Sequence, residues 1–249
     1  MKFFNVITLS LLAFPALAEE ITSPFYLPEM GHILNQTGFT YIKKKRTTRP
    51  TTRLYQRTLS DQITLGLGAG LAAVLEGDIA WQHQKQNTTL SYPHTKAYGA
   101  GLKGQWEIGG FLSQVKVLYQ QSTNVQLVPR RTIWAETYLG KKLTSMTPYL
   151  HLVGNFPIHA RKDLNAPLYR AETGVFQTVN KKTTLDTALF LQYDQNIQER
   201  SYGIQGEVSY LMTPWASIGL NGQWQARGHA KGDTKTYFQR AGINVKIAF

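Results

Sequence analysis

The chain closes on "GINVKIAF", Gly242–Phe249. Ile243, Val245, Ile247 and Phe249 are apolar and alternate with Gly242, Asn244, Lys246 and Ala248. Successive side chains of a strand point to opposite faces, so this period of two describes a strand with one apolar and one polar face. Such a strand needs a partner on each edge, because an open edge is a template for unwanted pairing.

Working back from the terminus, the same alternation recurs. In "WASIGLNGQWQA", Ala216, Ile218, Leu220 and Trp224 oppose Ser217, Asn221, Gln223 and Gln225. Tyr202, Ile204, Val208 and Tyr210 oppose Ser201, Gln205, Glu207 and Ser209, and Leu185, Leu189, Leu191 and Tyr193 oppose Asp186, Ala188, Gln192 and Asp194. Phe111, Val115, Val117 and Tyr119 oppose Gln114, Lys116 and Gln120, and Tyr98, Leu102, Trp106 and Ile108 oppose Lys103, Gln105 and Glu107. The 133–139 segment is in conflict, with Ile133, Ala135 and Leu139 on one face and Trp134 and Tyr138 beside Glu136 on the other. Glu136 assigns that second face to the polar side.

The breaks between segments alternate in length. Short ones are expected at Ser60–Gln62, Ile108–Gly110, Thr144–Thr147, Asn180–Lys182 and Thr213–Pro214, and longer ones at Lys43–Thr52, Gln84–Thr95, Ser122–Arg130, Arg161–Leu168, Gln195–Arg200 and Gly228–Lys235. Short turns at one end and longer loops at the other describe an up-and-down antiparallel barrel of about twelve strands, between ten and fourteen. A soluble β-sandwich also alternates, but these segments are long for one. Aromatics also gather at their ends: Tyr41, Trp81, Tyr98, Trp106, Tyr119, Tyr169, Tyr193, Tyr202, Tyr210, Trp215 and Tyr237.

The amino terminus supplies the compartment. "MKFFNVITLSLLAFPALAEE" carries Lys2, an apolar run from Phe3 to Leu12, and Ala16-Leu17-Ala18 before Glu19. That is the pattern of a secretory signal peptide over residues 1–18. Residues 19–30, with two prolines and no period, are expected as an extended arm, and residues 31–249 as the barrel. With no cysteine among 249 residues, disulfides, thiolate metal sites and cysteine nucleophiles are excluded. A mature chain without a spanning helix that still enters a membrane must do so as a closed all-β transmembrane barrel.

On these residues the chain resembles Gram-negative outer-membrane β-barrel proteins of porin-like type. "SPFYLP", Ser23–Pro28, is similar to the segment ahead of the first strand in some porin-like transporters. The resemblance implies that Ile243, Val245, Ile247 and Phe249 form the signal read by the barrel-assembly machinery. It also implies passive diffusion of small hydrophilic solutes through a narrow lumen.

The charges sort by face. Lys+Arg total 27 against 15 Asp+Glu, a balance that in another setting would suggest nucleic acid; an exported barrel makes that partner unexpected. Lys103, Lys116, Arg170, Arg240 and Lys246 are expected in the lumen against Glu107, Glu136, Glu172, Asp186 and Glu207. A lumen this mixed suits transverse ion pairs in a narrow interior better than a ring of one sign. The excess falls in breaks, above all Lys43, Lys44, Lys45, Arg46 and Arg49, an expected surface loop that would attract lipopolysaccharide phosphates or acidic sugars.

An enzyme is not expected. Barrel phospholipases place His and Ser two residues apart on one strand face, and His32, His83, His94, His151, His159 and His229 all lack that neighbour. His151 and Asn155 share a face without a serine in their strand. No cofactor or metal site is expected: Asp186 and Asp194 stand about 26 Å apart at strand rise, and no histidine pair has ligand spacing. The alternative readings are a surface-interaction or structural barrel whose basic loops bind, and a barrel hydrolase.

Overall fold

The computed structural model describes residues 21–46, 52–85, 89–124, 127–158, 166–195, 199–229 and 232–249. The expected signal peptide lies outside these residues, as does Arg49. The alternating segments become β1 (Ile33–Arg46), β2 (Thr52–Gly68), β3 (Leu71–Lys85), β4 (Thr89–Ile108), β5 (Phe111–Asn124) and β6 (Leu127–Lys141). They continue as β7 (Met146–Ile158), β8 (Leu168–Asn180), β9 (Thr183–Asp194), β10 (Glu199–Thr213), β11 (Ala216–His229) and β12 (Gly232–Ala248).

Each strand pairs antiparallel with its neighbours in sequence, and β12 returns to β1 to close the barrel. The closing register runs from Leu34 opposite Ala248 to Arg46 opposite Thr236. Phe249 is itself held, its N–H donating to the Ile33 carbonyl at 2.8 Å and its carbonyl accepting from Ile33 at 3.0 Å. No edge of the sheet is therefore left unpaired, which is what the alternating last strand requires.

The two faces have opposite chemistry. On β12, Asn244, Lys246 and Ala248 are buried inside while Ile243 and Phe249 are exposed outside. All eleven strand-end aromatics named above are exposed on the outer surface, together with Leu102, Leu189, Leu191, Ile204 and Leu220. A continuous apolar wall of this size marks a lipid contact rather than a water-facing surface. Every strand has 12 or more residues, beyond the roughly 9–11 that cross a bilayer.

Three expectations about the breaks are corrected. β2 runs unbroken through Ser60–Gln62, and the turn lies at Gly68–Gly70, where Gly68, Ala69 and Gly70 have φ of 88°, 51° and 72°. Ser60–Gln62 offers polarity but no glycine, whereas Gly68 and Gly70 adopt positive φ freely. Second, strands fill much of the expected long loops: β3 reaches Lys85 and β4 starts at Thr89, and β6 starts at Leu127 and β12 at Gly232. These polar stretches read as loop because they rise past the apolar wall. Third, Lys43–Arg46 belong to β1, opposite β12 and β2, and are not loop residues.

The arm also differs from an extended segment. Its backbone turns at Ser23–Tyr26, with the Tyr26 N–H donating to the Ser23 carbonyl at 3.2 Å and the Phe25 N–H to the Ser23 hydroxyl at 3.1 Å. The short turns and both strand ends Ile33 and Phe249 lie at one rim, here the turn end; the other rim is the loop end.

Candidate functional site

The interior of the barrel is filled at the turn end by the chain's own residues Ile21–Leu27. Ile21 packs with Tyr26, Leu34, Leu211 and Ala248 in one buried cluster. Phe25 joins Leu112, Tyr149, Phe176 and Ala188 in a second. Its ring meets Tyr138 and Tyr149 edge-on, with centroids 5.8 and 6.2 Å away. The wall makes room for it: a Cβ on Gly140 would stand 2.7 Å from the Phe25 ring.

Two lysines of the wall fasten the segment's backbone. Lys103 Nζ donates to the Tyr26 carbonyl at 3.1 Å and Lys246 Nζ to the Thr22 carbonyl at 3.3 Å. Hydrogen bonds from a charged donor contribute about 1.5–3 kcal/mol each, so these two contacts carry real weight for a short segment. Beyond them, Gly31 donates to the Gly66 carbonyl at 3.0 Å and Gly66 to the His32 carbonyl at 2.9 Å, tying the exit of the segment to β2.

Above the segment a belt of ion pairs follows the wall from β3 to β10. Lys116 Nζ lies 2.6 Å from Glu76 and 3.2 Å from Glu136. His151 is next, with Nε2 at 3.8 Å from Glu136 and Nδ1 at 3.0 Å from Glu172. Glu172 also pairs with Arg170. Gln205 closes the run, accepting from Arg170 at 2.6 Å and donating to Glu172 at 3.0 Å. The His151 ring stacks on Tyr138, centroids 3.6 Å apart, so the belt and the segment share an aromatic floor. Charges withdrawn from bulk water need such neighbours, because an unpaired one costs several kcal/mol.

The opposite wall, from β9 through β12 to β2, is lined mainly by amides and hydroxyls. A cavity of about 210 Å³ lies against Gln36, Thr40, Gln205, Asn221, Gln223 and Asn244, with Asp186, Glu207 and Arg240 as its charges. A second, of about 240 Å³, shares Gln36, Asp186 and Glu207 with the first and reaches Thr22 and Pro24 of the segment. The charges here are held loosely in number but not in place. Glu207 accepts from Ser209 at 2.8 Å and Asn244 at 2.9 Å. Asp186 accepts from the Tyr149 hydroxyl at 2.7 Å, and Arg240 donates to Thr40 at 3.3 Å. The Tyr149 ring reaches Asp186 across Gly174, where a Cβ would stand 2.5 Å from it.

The structure places Lys103, Lys116, Glu136, Arg170, Glu172, Asp186, Glu207, Arg240 and Lys246 on the inner face, but in three settings rather than one. Lys103 and Lys246 clamp the segment, Lys116, Glu136, Arg170 and Glu172 form the belt, and Asp186, Glu207 and Arg240 line the first cavity, while Lys103, Lys116, Glu136 and Lys246 also border the second. Glu107 departs from this set: it sits at the turn-end rim, beside Leu27–Met30 and the Gly68–Gly70 turn. Lys43 and Lys45 point outward at the loop end of β1 and are exposed.

Sequence reasoning missed Glu76 and Asp78, which share the inner face of β3, because the misplaced turn blurred that strand's start. It left the place of the arm undecided, although a signal was present. Trp134 and Tyr138 are aromatics on a polar face and needed partners there; Trp134 Nε1 donates to Gln120 at 2.8 Å, and Tyr138 meets Phe25. His151 contacts the carboxylates of Glu136 and Glu172 and the ring of Tyr138. No cluster of three metal-ligating side chains occurs among those residues.

The structure is similar to the COG4313 outer membrane channel from Pseudomonas putida F1. The TM-score is 0.69 at 11% identity, covering 91% of this chain and 98% of that one. The fold is that of an outer-membrane β-barrel. The CymD monoaromatic hydrocarbon channel matches at 0.53 and 7% identity, over 95% of this chain and 94% of the other. The NanC porin matches at 0.52 and 13%, over 82% and 98%. No family model and no curated relative matches the chain.

Proposed function

We propose that this barrel is a narrow outer-membrane channel for small hydrophilic solutes, gated on its periplasmic side by its own residues Ile21–Leu27. The observation that supports this is the pair of adjoining polar cavities, the second of which is bordered by Thr22 and Pro24 of the segment. Amide and hydroxyl linings offer both donors and acceptors to a hydroxyl-rich solute. Twelve strands stand between the eight that side chains fill and the sixteen that leave a wide channel. That the P. putida barrel is named a channel and NanC a porin supports the same reading.

The remaining parts fit an exported barrel. Residues 1–18 would direct secretion, and the alternating Ile243, Val245, Ile247 and Phe249 would be the strand presented to the assembly machinery. Lys43 and Lys45, level with Tyr55 and Arg53 across the pairing, would meet lipopolysaccharide phosphates at the outer leaflet.

Planar-bilayer recording tests the proposal. The full chain should show small, infrequently open conductance, and a variant lacking residues 21–26 should show a larger and steady one. A specific observation favours a second reading, the non-conducting structural barrel: the segment is anchored by two buried clusters and two lysines. Silence of both proteins in the bilayer would establish that second reading in place of the channel.

A further inference from the structure

The outer face of β1 to β3 carries a polar patch where lipid chains should be. Asp61 points outward, between Leu59 on its loop side and Ile63, Leu65 and Leu67 on its turn side, all four of them exposed apolar residues. The Thr37 hydroxyl, across the pairing on β1, reaches the Asp61 carboxylate at 2.8 Å and the Asn35 carboxamide oxygen at 3.1 Å. Other outward ionisable side chains among the described residues, such as Lys43, Arg57, Lys96 and Arg200, lie level with or beyond the loop-end aromatics. Lys141 lies at a turn. Asp61 alone of these stands within the apolar belt.

A carboxylate on the lipid face is costly at this depth, least at the interfaces and most at the midplane. One threonine hydroxyl has one proton, and it cannot satisfy both Asp61 and Asn35. Beside the trio the wall is hollow: Gly77 pairs with Asp61, and nothing lies within 4 Å of where its Cβ would be. Small residues of this kind let two membrane proteins approach closely.

We propose that this patch is the contact between two copies of the chain in the membrane. It carries an acceptor, Asp61, and spare donors on Asn35, so it is complementary to itself. A two-fold axis along the membrane normal brings the same patch of each copy together at one depth, the arrangement a closed homodimer needs. The trio is then withdrawn from lipid and its polar groups meet the partner's. The Gly77 hollows let the walls close over them.

The absence of cysteine makes the test direct. Leu59→Cys beside the patch and Leu220→Cys on β11, both exposed on the outer face, are oxidised in native outer membranes and resolved by non-reducing electrophoresis. Leu59→Cys should give a band at twice the monomer mass and Leu220→Cys should not. Adding Asp61→Leu to Leu59→Cys should cut the dimer about tenfold, the effect of losing ~1.4 kcal/mol of association. Leucine suits a lipid face, so that variant keeps the barrel, as its heat-shifted gel mobility will report. Equal dimer with and without Asp61→Leu, no dimer at Leu59→Cys, or an adduct to a different protein would each overturn the proposal. Bilayer conductance plays no part in this test, so its result stands apart from the channel reading.

Discussion

The two walls of the lumen solve the same problem of buried polarity in different ways. From β3 to β8 the charges are consumed by one another, with Lys116, Glu136, His151, Glu172 and Arg170 in one run of contacts. From β9 to β2 the lining is mostly uncharged, and Asp186, Glu207 and Arg240 face open cavities while bonded to neutral partners. The first wall is built like a protein interior and carries the segment's aromatic floor. The second is built like a binding surface. Substitutions on the first should change stability and gating, and those on the second should change what passes.

The largest effect should come from removing what divides the walls. Deleting residues 21–26 takes Ile21 and Phe25 out of their clusters and leaves Lys103 and Lys246 without the carbonyls they hold. Single-channel recording should show conductance rising severalfold, with the long closures gone. Next comes Glu172→Ala, which takes from Arg170 its paired carboxylate and leaves His151 only Glu136 in a buried site. Losing one partner of such a pair costs about 3–5 kcal/mol. Guanidinium unfolding from lipid vesicles, followed by tryptophan fluorescence, should register that loss, while ion selectivity stays near the parent's.

A smaller effect is expected from Gly140→Ala. The added methyl meets the Phe25 ring at 2.7 Å, and overpacking of this kind costs about 1–3 kcal/mol. The cost falls on the docked segment, because the ring can leave and the strand cannot. Openings should therefore become more frequent with the barrel's own unfolding midpoint almost unchanged. An unaltered opening frequency would mean that Phe25 does not hold the gate.

Much of this was legible in the alternation alone. The period of two in Gly242–Phe249, repeated along the chain, sends Ile243 and Lys246 to opposite faces, and the rhythm of the breaks gives about twelve strands, between ten and fourteen. Local polarity was a poorer guide to where strands stop. Ser60–Gln62 looked like a turn because Asp61 is polar, yet its polarity serves an outward contact with Thr37. Lys43–Arg46 looked like a loop because strands above a membrane need no apolar face. The segment was illegible for a different reason: seven residues with no period make no pattern, and only the unexplained aromatics of the inner face, Trp134 and Tyr138, pointed to something inside. Pairings across non-adjacent strands, such as Glu76 to Lys116 over β4, follow from barrel curvature and leave no trace in spacing.

The finest test of the two-wall contrast is Glu207→Gln. Glu207 lines both cavities and accepts from Ser209 and Asn244. Glutamine keeps one acceptor and the same length, so the loss in stability should stay near ~1 kcal/mol, the size of one ordinary hydrogen bond. The charge removed borders both cavities, and its field is little screened in a narrow lumen. Under a potassium chloride gradient the reversal potential of the variant should move toward the anion side, in a background with residues 21–26 deleted so that current is large enough to read. Glu172→Gln, in the belt and bordering neither cavity, gives the opposite signature. Its Arg170 keeps Gln205 at 2.6 Å, so selectivity should hardly move while stability falls. If instead both variants shift the reversal potential equally, the two walls face the solute alike, and the distinction drawn between them is wrong.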